Sequence, residues 1–394
     1  MRSASVLGLA GGFAFGVRRG GGDLAFAVEN GFGRPLFEIN LPGVVYWHTE
    51  GLATGGRLSS GRLDFQFGCP PCAGWSTASA GLDRRNNPDH PINDGIRLWF
   101  AAVEAGRPAV ACFESVVGCL KNGRGLWGPL ARGLEELGYR WCFTVYDNQD
   151  CGVPQRRPRM LFWAWRTGGD FVPEQPTRPG RQTTREAIAH VTEDNFWYPD
   201  DPWWAWEPLD MDRMPVHRLL PYVEAGSNVR RVSTELWLEH YHEVGVRDGW
   251  PSFTYRRLHP ERPAPVMMAN ALATTVHYDY PGLPCTGEDG HPVPNEDCRL
   301  INGRELATLM GYPNDFILQY AEGAAATRRQ RQDLSAWLTQ AVSPAVGMWT
   351  ARCASVHLET PHRDSAHWAP RVWDLRTPGN DPAPLDNWAP SLVE

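Results

Sequence analysis

Lysine is almost missing from this chain. Among its 38 basic residues only Lys121 is a lysine, so nearly every cation is a guanidinium, a group that suits bidentate contacts with phosphates and base edges. A GC-rich genome produces the same bias, and that explanation ranks first. A long apolar run is also missing. No segment is long enough to span a bilayer, which predicts a soluble, cytoplasmic protein. The opening "MRSASVLGLAGGFAFGV" has the flavour of a signal peptide, but Arg18, Arg19 and Asp23 follow before any cleavage site, so it reads as mature sequence. Excess positive charge is absent: the formal net charge is −7, which argues against a generic nucleic-acid coat protein while leaving room for a local basic cleft. Internal repeats are absent. The nine cysteines are odd in number and scattered, not the framework of a disulfide-stapled domain.

What is present is an ordinary globular composition, 42% apolar and 21% charged, over 394 residues, enough for two or three domains. The 40 glycines and 34 prolines indicate many turns and suit an α/β enzyme with long functional loops. Ser5 to Leu9 reads as a strand, "AGGFAFGVRRGG" as a glycine-rich turn entering a helix, and "DLAFAVENG" as a second strand ending on Glu29. That order is the layout of a nucleotide-binding βαβ unit. Gly11 and Gly12 would admit a ligand close to the backbone, and Glu29 would accept hydrogen bonds from ribose hydroxyls. "RLDFQFG" is a third strand, "DGIRLWFAAVEAG" a helix, "PAVACFESV" a strand that ends on Glu114, "LWGPLARGLEELGY" a helix and "RWCFTVYD" a strand. The alternation to about Trp165 predicts a mainly parallel, doubly wound sheet. From Arg166 to about Phe253 the chain is rich in Trp, Pro and Arg and loses its period, as an inserted domain would. Helical spacing returns in "GRELATLMGY" and "SAWLTQAVSPAVGMWTARCASV".

The stretch "FQFGCPPCAGWSTAS" places Cys69 and Cys72 around two prolines. Three chemistries compete for such a pair: half of a zinc site, a redox couple, or one nucleophile beside a bystander. Zinc needs about four ligands, and neither Cys112 with Cys119 nor Cys285 with Cys298 supplies a second close pair, so no metal is expected. A redox pair opens a helix directly after a strand, whereas small residues after Cys72 suggest a loop. A single nucleophile at a strand-to-loop junction remains.

"PPCAGWS", "FESV", "GVPQRRPR" and "RLINGRELATLMGYPNDF", in that order, resemble the cytosine-5 DNA methyltransferase family. "LAGGFAFG" and "QAVSPAVG" resemble its first and last motifs, and "RRLHPERPAPVMM" the segment before the R-E helix. The resemblance implies a Rossmann-like class I methyltransferase fold with a target-recognition lobe: a catalytic domain in 1–166, a recognition insert in 167–257, completion of the catalytic domain in 258–356 and a surface tail in 357–394. It implies S-adenosylmethionine as donor, bound by Leu7, Gly8, Ala10, Gly11, Gly12, Phe13, Glu29, Asn30, Pro71, Gln340 and Val342. Cys72 would add to cytosine C6, which makes C5 nucleophilic. Glu114 would hydrogen-bond N3 and the exocyclic amine, while Arg157 and Arg159 would hold the base's O2 and the catalytic loop. The target must leave the helical stack for this, with the loop from Ser76 to Asp94 closing behind it. Ser76, Gln155, Arg230, Arg231, Arg256 and Arg257 are the candidate DNA contacts. Cys69 stands where the family often has glycine and reads as packing.

Several positions depart from the family pattern. Leu9 replaces the first glycine of its F-x-G-x-G-G turn, and no aspartate precedes that turn. Ala73 replaces the glutamine after the nucleophile, Ser115 the asparagine of E-N-V, Asn302 the threonine before R-E, and Gln340 the asparagine of the closing motif. The attack side is thus kept and the donor side altered. Three hypotheses follow: a DNA cytosine-5 methyltransferase, a Cys72 enzyme transferring another one-carbon group such as hydroxymethyl from methylene-tetrahydrofolate, and a catalytically silent DNA-binding paralogue. An RNA substrate is a further branch, although the size of the insert favours double-stranded DNA. The expected setting is a monomer in a bacterial or phage-infected cell. A restriction endonuclease or a downstream base-modifying enzyme would be its functional partner.

Overall fold

The computed structural model describes residues 1–50, 62–76, 86–87, 89–176, 180–191, 209, 212, 214–241, 254–278, 298–318, 327–360, 369–376 and 382–385. Its labelled elements begin with β1 (Arg2–Val6), α1 (Gly12–Arg19), β2 (Asp23–Glu29), α2 (Arg34–Asn40), β3 (Val45–His48) and β4 (Phe65–Gly68). They continue with α3 (Asp94–Gly106), β5 (Val110–Val116), α4 (Val117–Asn122), α5 (Arg124–Glu136), β6 (Arg140–Asp147) and β7 (Pro158–Trp165). After these come β8 (Arg256–Arg257), β9 (Thr275–Val276), α6 (Gly303–Leu309), α7 (Arg328–Gln340), α8 (Pro344–Glu359), β10 (Arg371–Asp374) and β11 (Ala383–Pro384).

The main sheet has nine strands in the order β11-β10-β6-β7-β5-β4-β1-β2-β3. β1 runs parallel to β2 and β4, β4 to β5 and β2 to β3, while β7 is antiparallel to both β5 and β6. This is the Rossmann-like class I methyltransferase architecture. The chain winds outward from β1 to β3, then returns to lay β4 on the other side of β1. The strand order therefore reverses between β1 and β4, and the crevice at the carboxyl ends of such strands is where doubly wound sheets bind ligands. Residues 7–12 follow β1 and Cys69 to Ser76 follow β4, while Glu29 ends the neighbouring β2 and Glu114 lies near the end of β5.

The sheet is held by bulky rings. Trp99, Phe113, Trp127, Phe143 and Phe162 pack with centroids 4.9–6.2 Å apart on one buried face. α1 and α8 cross at glycines: a Cβ on Gly16 would sit 2.1 Å from the Pro344 carbonyl, and one on Gly347 would sit 2.5 Å from that of Phe13. That close approach packs α1 directly on α8.

Three features differ from the sequence expectation. β1 ends at Val6 rather than running to Leu9, because Leu7 and Leu9 adopt left-handed φ values of 60° and 62° that no strand accommodates. β7 runs against its neighbours, a reversal that apolar runs cannot signal. The segment read as a surface tail contributes β10, which pairs in parallel with β6 and buries Val372 and Trp373. β6, eight residues long, would otherwise end the sheet with an open edge.

By its contacts the chain forms two compact units, Met1–Cys151 with Arg157–Pro179 and Ala341–Glu394, and Gly152–Arg156 with Gly180–Gln340. This division differs from the expected boundaries: residues 258–340 belong with the insert, and the return to the first unit falls at Ala341. In the second unit β8 pairs with β9, and Ile301 N–H donates to the Thr275 carbonyl at 3.0 Å, which ties the start of α6 to this unit. Its core gathers Val216, Leu219, Leu220, Val229, Tyr255 and Leu300. Much of the Trp-rich insert, 192–208 and 242–253, lies outside the described residues.

Candidate active site

The attack side is assembled from β5, β7 and the loop after β4. Val116 pairs with Arg159 and Glu114 with Leu161 across the antiparallel β5–β7 ladder. Residues two apart share a face of a strand, so Glu114 and Arg159 project to one side, and Arg157, just before β7, lies close enough to feel both charges. Arg159 Nε lies 3.0 Å from Glu114 Oε1, and only 3% of Glu114 is exposed. The other carboxylate oxygen, Oε2, accepts from the Cys69 thiol at 3.2 Å. Arg159 Nη1 donates to the Pro158 carbonyl at 2.8 Å, and the Arg157 backbone N–H donates to Asp147 Oδ1 at 2.9 Å.

Cys72 is partly exposed and caps a single 3-10 turn, Ala73–Trp75, whose Trp75 N–H donates to the Cys72 carbonyl at 3.0 Å. The prolines before it are a floor for α3: a Cβ at Gly95 would come within 2.6 Å of Pro71 Cδ. Burial raises the Cys72 thiol above its ordinary range and the Glu114 charge adds to this, while Arg159 and Arg157 oppose it. The resting group is therefore a thiol whose ionisation improves once Glu114 is neutralised by a proton or a hydrogen-bonded base. Cys69, deeper still, is pushed well above the usual thiol range by burial and by Glu114, which keeps it a hydrogen-bond donor. Burial and the neighbouring Arg159 lower Arg157 to about 10, so it remains a cation at neutral pH. The structure thus brings Cys72, Glu114, Arg157 and Arg159 together, and adds Cys69, which sequence reading treated as packing.

The donor side is different. The turn after β1 buries Leu7, Gly8, Ala10, Gly11, Gly12 and Phe13, whereas Asn30 is exposed and Pro71 partly so. Glu29 is 0% exposed. Gly8 N–H and Ser5 Oγ–H donate to its Oε1 at 2.7 and 3.0 Å, and Leu9 N–H donates to Oε2 at 3.0 Å. Burial pushes this carboxyl up to about 8, against three donors that favour the anion. A carboxyl so enclosed presents no oxygen to a ribose. As arranged, these residues do not fit an S-adenosylmethionine held through its ribose diol, which corrects the expected role of Glu29. Ser5, unnoticed in the sequence, occupies the place before the turn where an aspartate was found lacking. Val342 is buried in the first unit, and Gln340 is an exposed residue closing α7 in the second.

Two candidate DNA contacts are withdrawn by burial. Gln155 is 0% exposed and donates through Nε2 to Met310 Sδ at 3.2 Å. Arg257 is 1% exposed and donates to the Val223 carbonyl at 3.3 Å inside its unit. Arg230 and Arg231 are exposed, Arg256 and Ser76 partly so, and residues 77–85 and 88 of the expected closing loop lie outside the described residues. In α6 the departure at Asn302 is conservative in effect. Its side chain accepts from Glu305 N–H at 2.8 Å while Glu305 accepts from Asn302 N–H at 2.9 Å, a complete capping box. Glu305 also takes both Nη groups of Arg299, at 2.7 and 2.9 Å. Among the described residues no helix is long and apolar enough to cross a membrane, and no cluster of His, Cys, Asp and Glu could hold a metal ion.

Comparison with known proteins agrees with this architecture. The family model for C-5 cytosine-specific DNA methylase matches residues 1–332. The chain is 24% identical over 296 residues to the Type II methyltransferase M1.HphI of Haemophilus parahaemolyticus, covering 74% of this chain and 70% of that protein. It is 31% identical over 121 residues to the Type II methyltransferase M.AgeI of Thalassovita gelatinovora, a match spanning 30% of this chain and 27% of the relative. Among solved structures, a DNA modification methyltransferase encoded within an E. coli prophage superposes with a TM-score of 0.58 at 17% identity, over 91% of this chain and 100% of that one. The last match speaks to fold alone. With the family model covering most of its length, the chain belongs to the C-5 cytosine-specific DNA methylase family.

Proposed function

We propose that this protein modifies cytosine at C5 in double-stranded DNA through a covalent bond between Cys72 and C6 of a flipped-out base. The observation that carries the reading is the Arg159–Glu114 pair at 3.0 Å beside a partly exposed Cys72. Cys72 Sγ adds to C6, and electron density moves toward N3 and the ring's exocyclic groups. Glu114 meets that charge as a hydrogen-bonding acid at N3 and the amine, and its neutralisation there removes the nearest anion opposing the Cys72 thiolate. Arg157 and Arg159 hold the base's O2 and keep Glu114 in place. Once C5 carries its new carbon, transfer of the C5 proton to solvent water and departure of Cys72 as thiolate restore the ring. Ser76, Arg230, Arg231 and Arg256 are the side chains we assign to DNA; Gln155 and Arg257 are not carried forward.

The family's methyl donor, which we take to be S-adenosylmethionine, supplies an electrophilic carbon to C5. It would have to be held here without the Glu29 carboxylate. The same enclosure of Glu29 favours a second reading, in which the one-carbon donor has no adenosyl ribose, as in methylene-tetrahydrofolate. The testing experiment is nucleoside mass spectrometry of DNA from cells expressing the wild type or Cys72→Ala. A cytidine heavier by one methyl, lost in the variant, is the expected result. A hydroxymethyl adduct would transfer the reading to the second donor. Unmodified DNA from soluble wild type supplied with both donors would overturn both in favour of a silent DNA-binding protein.

A further inference from the structure

The arrangement around Glu29 is a closed circuit whose parts explain one another. Leu7 and Leu9 both lie in the left-handed region, a conformation that costs a non-glycine residue free energy and is kept only when its surroundings over-determine it. The two positive φ values turn the successive N–H groups of Gly8 and Leu9 to the same side, making a concavity suited to an anion. The acceptor is supplied from within, because both N–H groups reach the Glu29 carboxyl oxygens. Leu7 is pinned in addition through its own N–H to the Val28 carbonyl at 2.8 Å and through its carbonyl to Cys69 N–H at 3.1 Å. Gly8 has no room for more: a Cβ there would lie 2.3 Å from Ser5 Oγ and 3.2 Å from Glu29 Oε1. Ser5, at the end of β1, is too short to reach both N–H groups itself, and it donates to the same carboxylate instead.

We propose that Glu29 is a positioning residue, recruited as the clamp of the turn that follows β1, and that this protein does not recognise its donor through a ribose diol. The inference deepens the functional reading, since it concerns the donor half of the same site. The Cys69 N–H to Leu7 carbonyl bond makes the clamp matter for catalysis as well: it joins the turn to the first residue of the Cys69–Cys72 loop. A turn released from Glu29 would loosen the loop that carries the nucleophile.

The test uses the full chain without DNA. Thermal unfolding and calorimetric titration with S-adenosylmethionine and its 2′-deoxy analogue are run on wild type, Glu29→Gln, and Glu29→Gln combined with Ser5→Asp. A glutamine amide faces one of the two N–H donors with another donor, so Glu29→Gln is expected to lower Tm by roughly 4–10 °C. Ser5→Asp, which returns a carboxylate from the β1 side, is expected to recover at least half of that loss. S-adenosylmethionine is expected to bind wild type and the double variant within about threefold of one another, and the 2′-deoxy analogue to bind wild type as well as the parent within the same margin. Undetectable binding of both compounds to wild type also supports the clamp and moves the donor to another class. An unchanged Tm in Glu29→Gln overturns the proposal. So does a loss of affinity of about tenfold or more, whether in the double variant or in the deoxy analogue. Failure of the functional reading would appear elsewhere, as unmodified cellular DNA, and leaves these two measurements free to report on Glu29.

Discussion

The two halves of the site spend their carboxylates in opposite ways. On the attack side Glu114 faces a partly exposed thiol and is paired with a side chain, Arg159, so its hydrogen bonds can be exchanged as a base arrives. On the donor side Glu29 faces inward and is paired with backbone, so its bonds are part of the fold. Both acids stand at or near the carboxyl end of an interior strand, where position alone gives them the same standing. What separates them is the state of the neighbouring turn: with two leucines in left-handed geometry, its N–H groups need an acceptor that Glu29 supplies and the residue before the turn does not. A carboxylate at a switch point is therefore available to a ligand only after the backbone around it has been satisfied.

The largest expected effect comes from breaking the attack side. Arg159→Ala would leave Glu114 buried with its strongest partner gone, and removing one member of a buried pair costs about 3–5 kcal/mol. Stability should fall accordingly in chemical denaturation, and modification of DNA should drop by at least about a hundredfold, since Glu114 loses both its charge partner and its orientation. If Arg159→Ala instead left activity within a few-fold of wild type while Glu29→Gln abolished it, the contrast between the halves would be reversed.

A smaller effect, with a sign that distinguishes the two acids, is expected from pH. Glu29 ionises near 8 in the folded chain and near its ordinary 4.5 when unfolded. Between those values the unfolded chain gives up the proton while the folded chain keeps it, so this residue's contribution to stability is full below the lower value and is lost as pH rises towards the upper one. Wild type should lose Tm relative to Glu29→Gln as pH is raised from 5.5 to 8.5. A parallel course for the two proteins would mean that the three donors hold Glu29 ionised throughout, and the clamp would then be an anion at every pH.

The residues proposed for the attack side could be picked out because they sit in short contiguous motifs: a cysteine after two prolines, an acid near a strand end, two arginines two positions apart at the start of another strand. The alternation of strands and helices announced the sheet for the same reason, through short-range periodicity. What escaped depends on partners distant in sequence. Arg257 reads as a surface cation until Val223 and its neighbours are seen enclosing it, and Gln155 as a polar loop residue until Met310 is placed against it. β10 had no period to announce it over four residues; the exposed edge of β6 gave it a place. On the donor side the sequence offered a glycine turn, Glu29 and a missing acid before the turn, but the bonds that join Glu29 to that turn appear only in the fold.

The smallest effect sharpens the comparison most, because it tests whether the attack side too has a residue that acts only on another. Cys69 donates its thiol hydrogen to Glu114 Oε2 at 3.2 Å while Arg159 holds Oε1, so the carboxylate plane is fixed from both ends. A thiol is a weak donor, and the cost of losing it is correspondingly modest. Cys69→Ala should lower kcat by about three- to tenfold with KM for DNA unchanged, because the bond orients an acid that matters when charge builds on the ring rather than when DNA binds. Cys69→Ser, which keeps a donor of similar reach, should recover most of the rate. A merely packed cysteine predicts the reverse order, since alanine suits an apolar pocket better than an added hydroxyl. Equal losses in both variants, or a rise in KM alone, would return Cys69 to the role of filler beside Cys72.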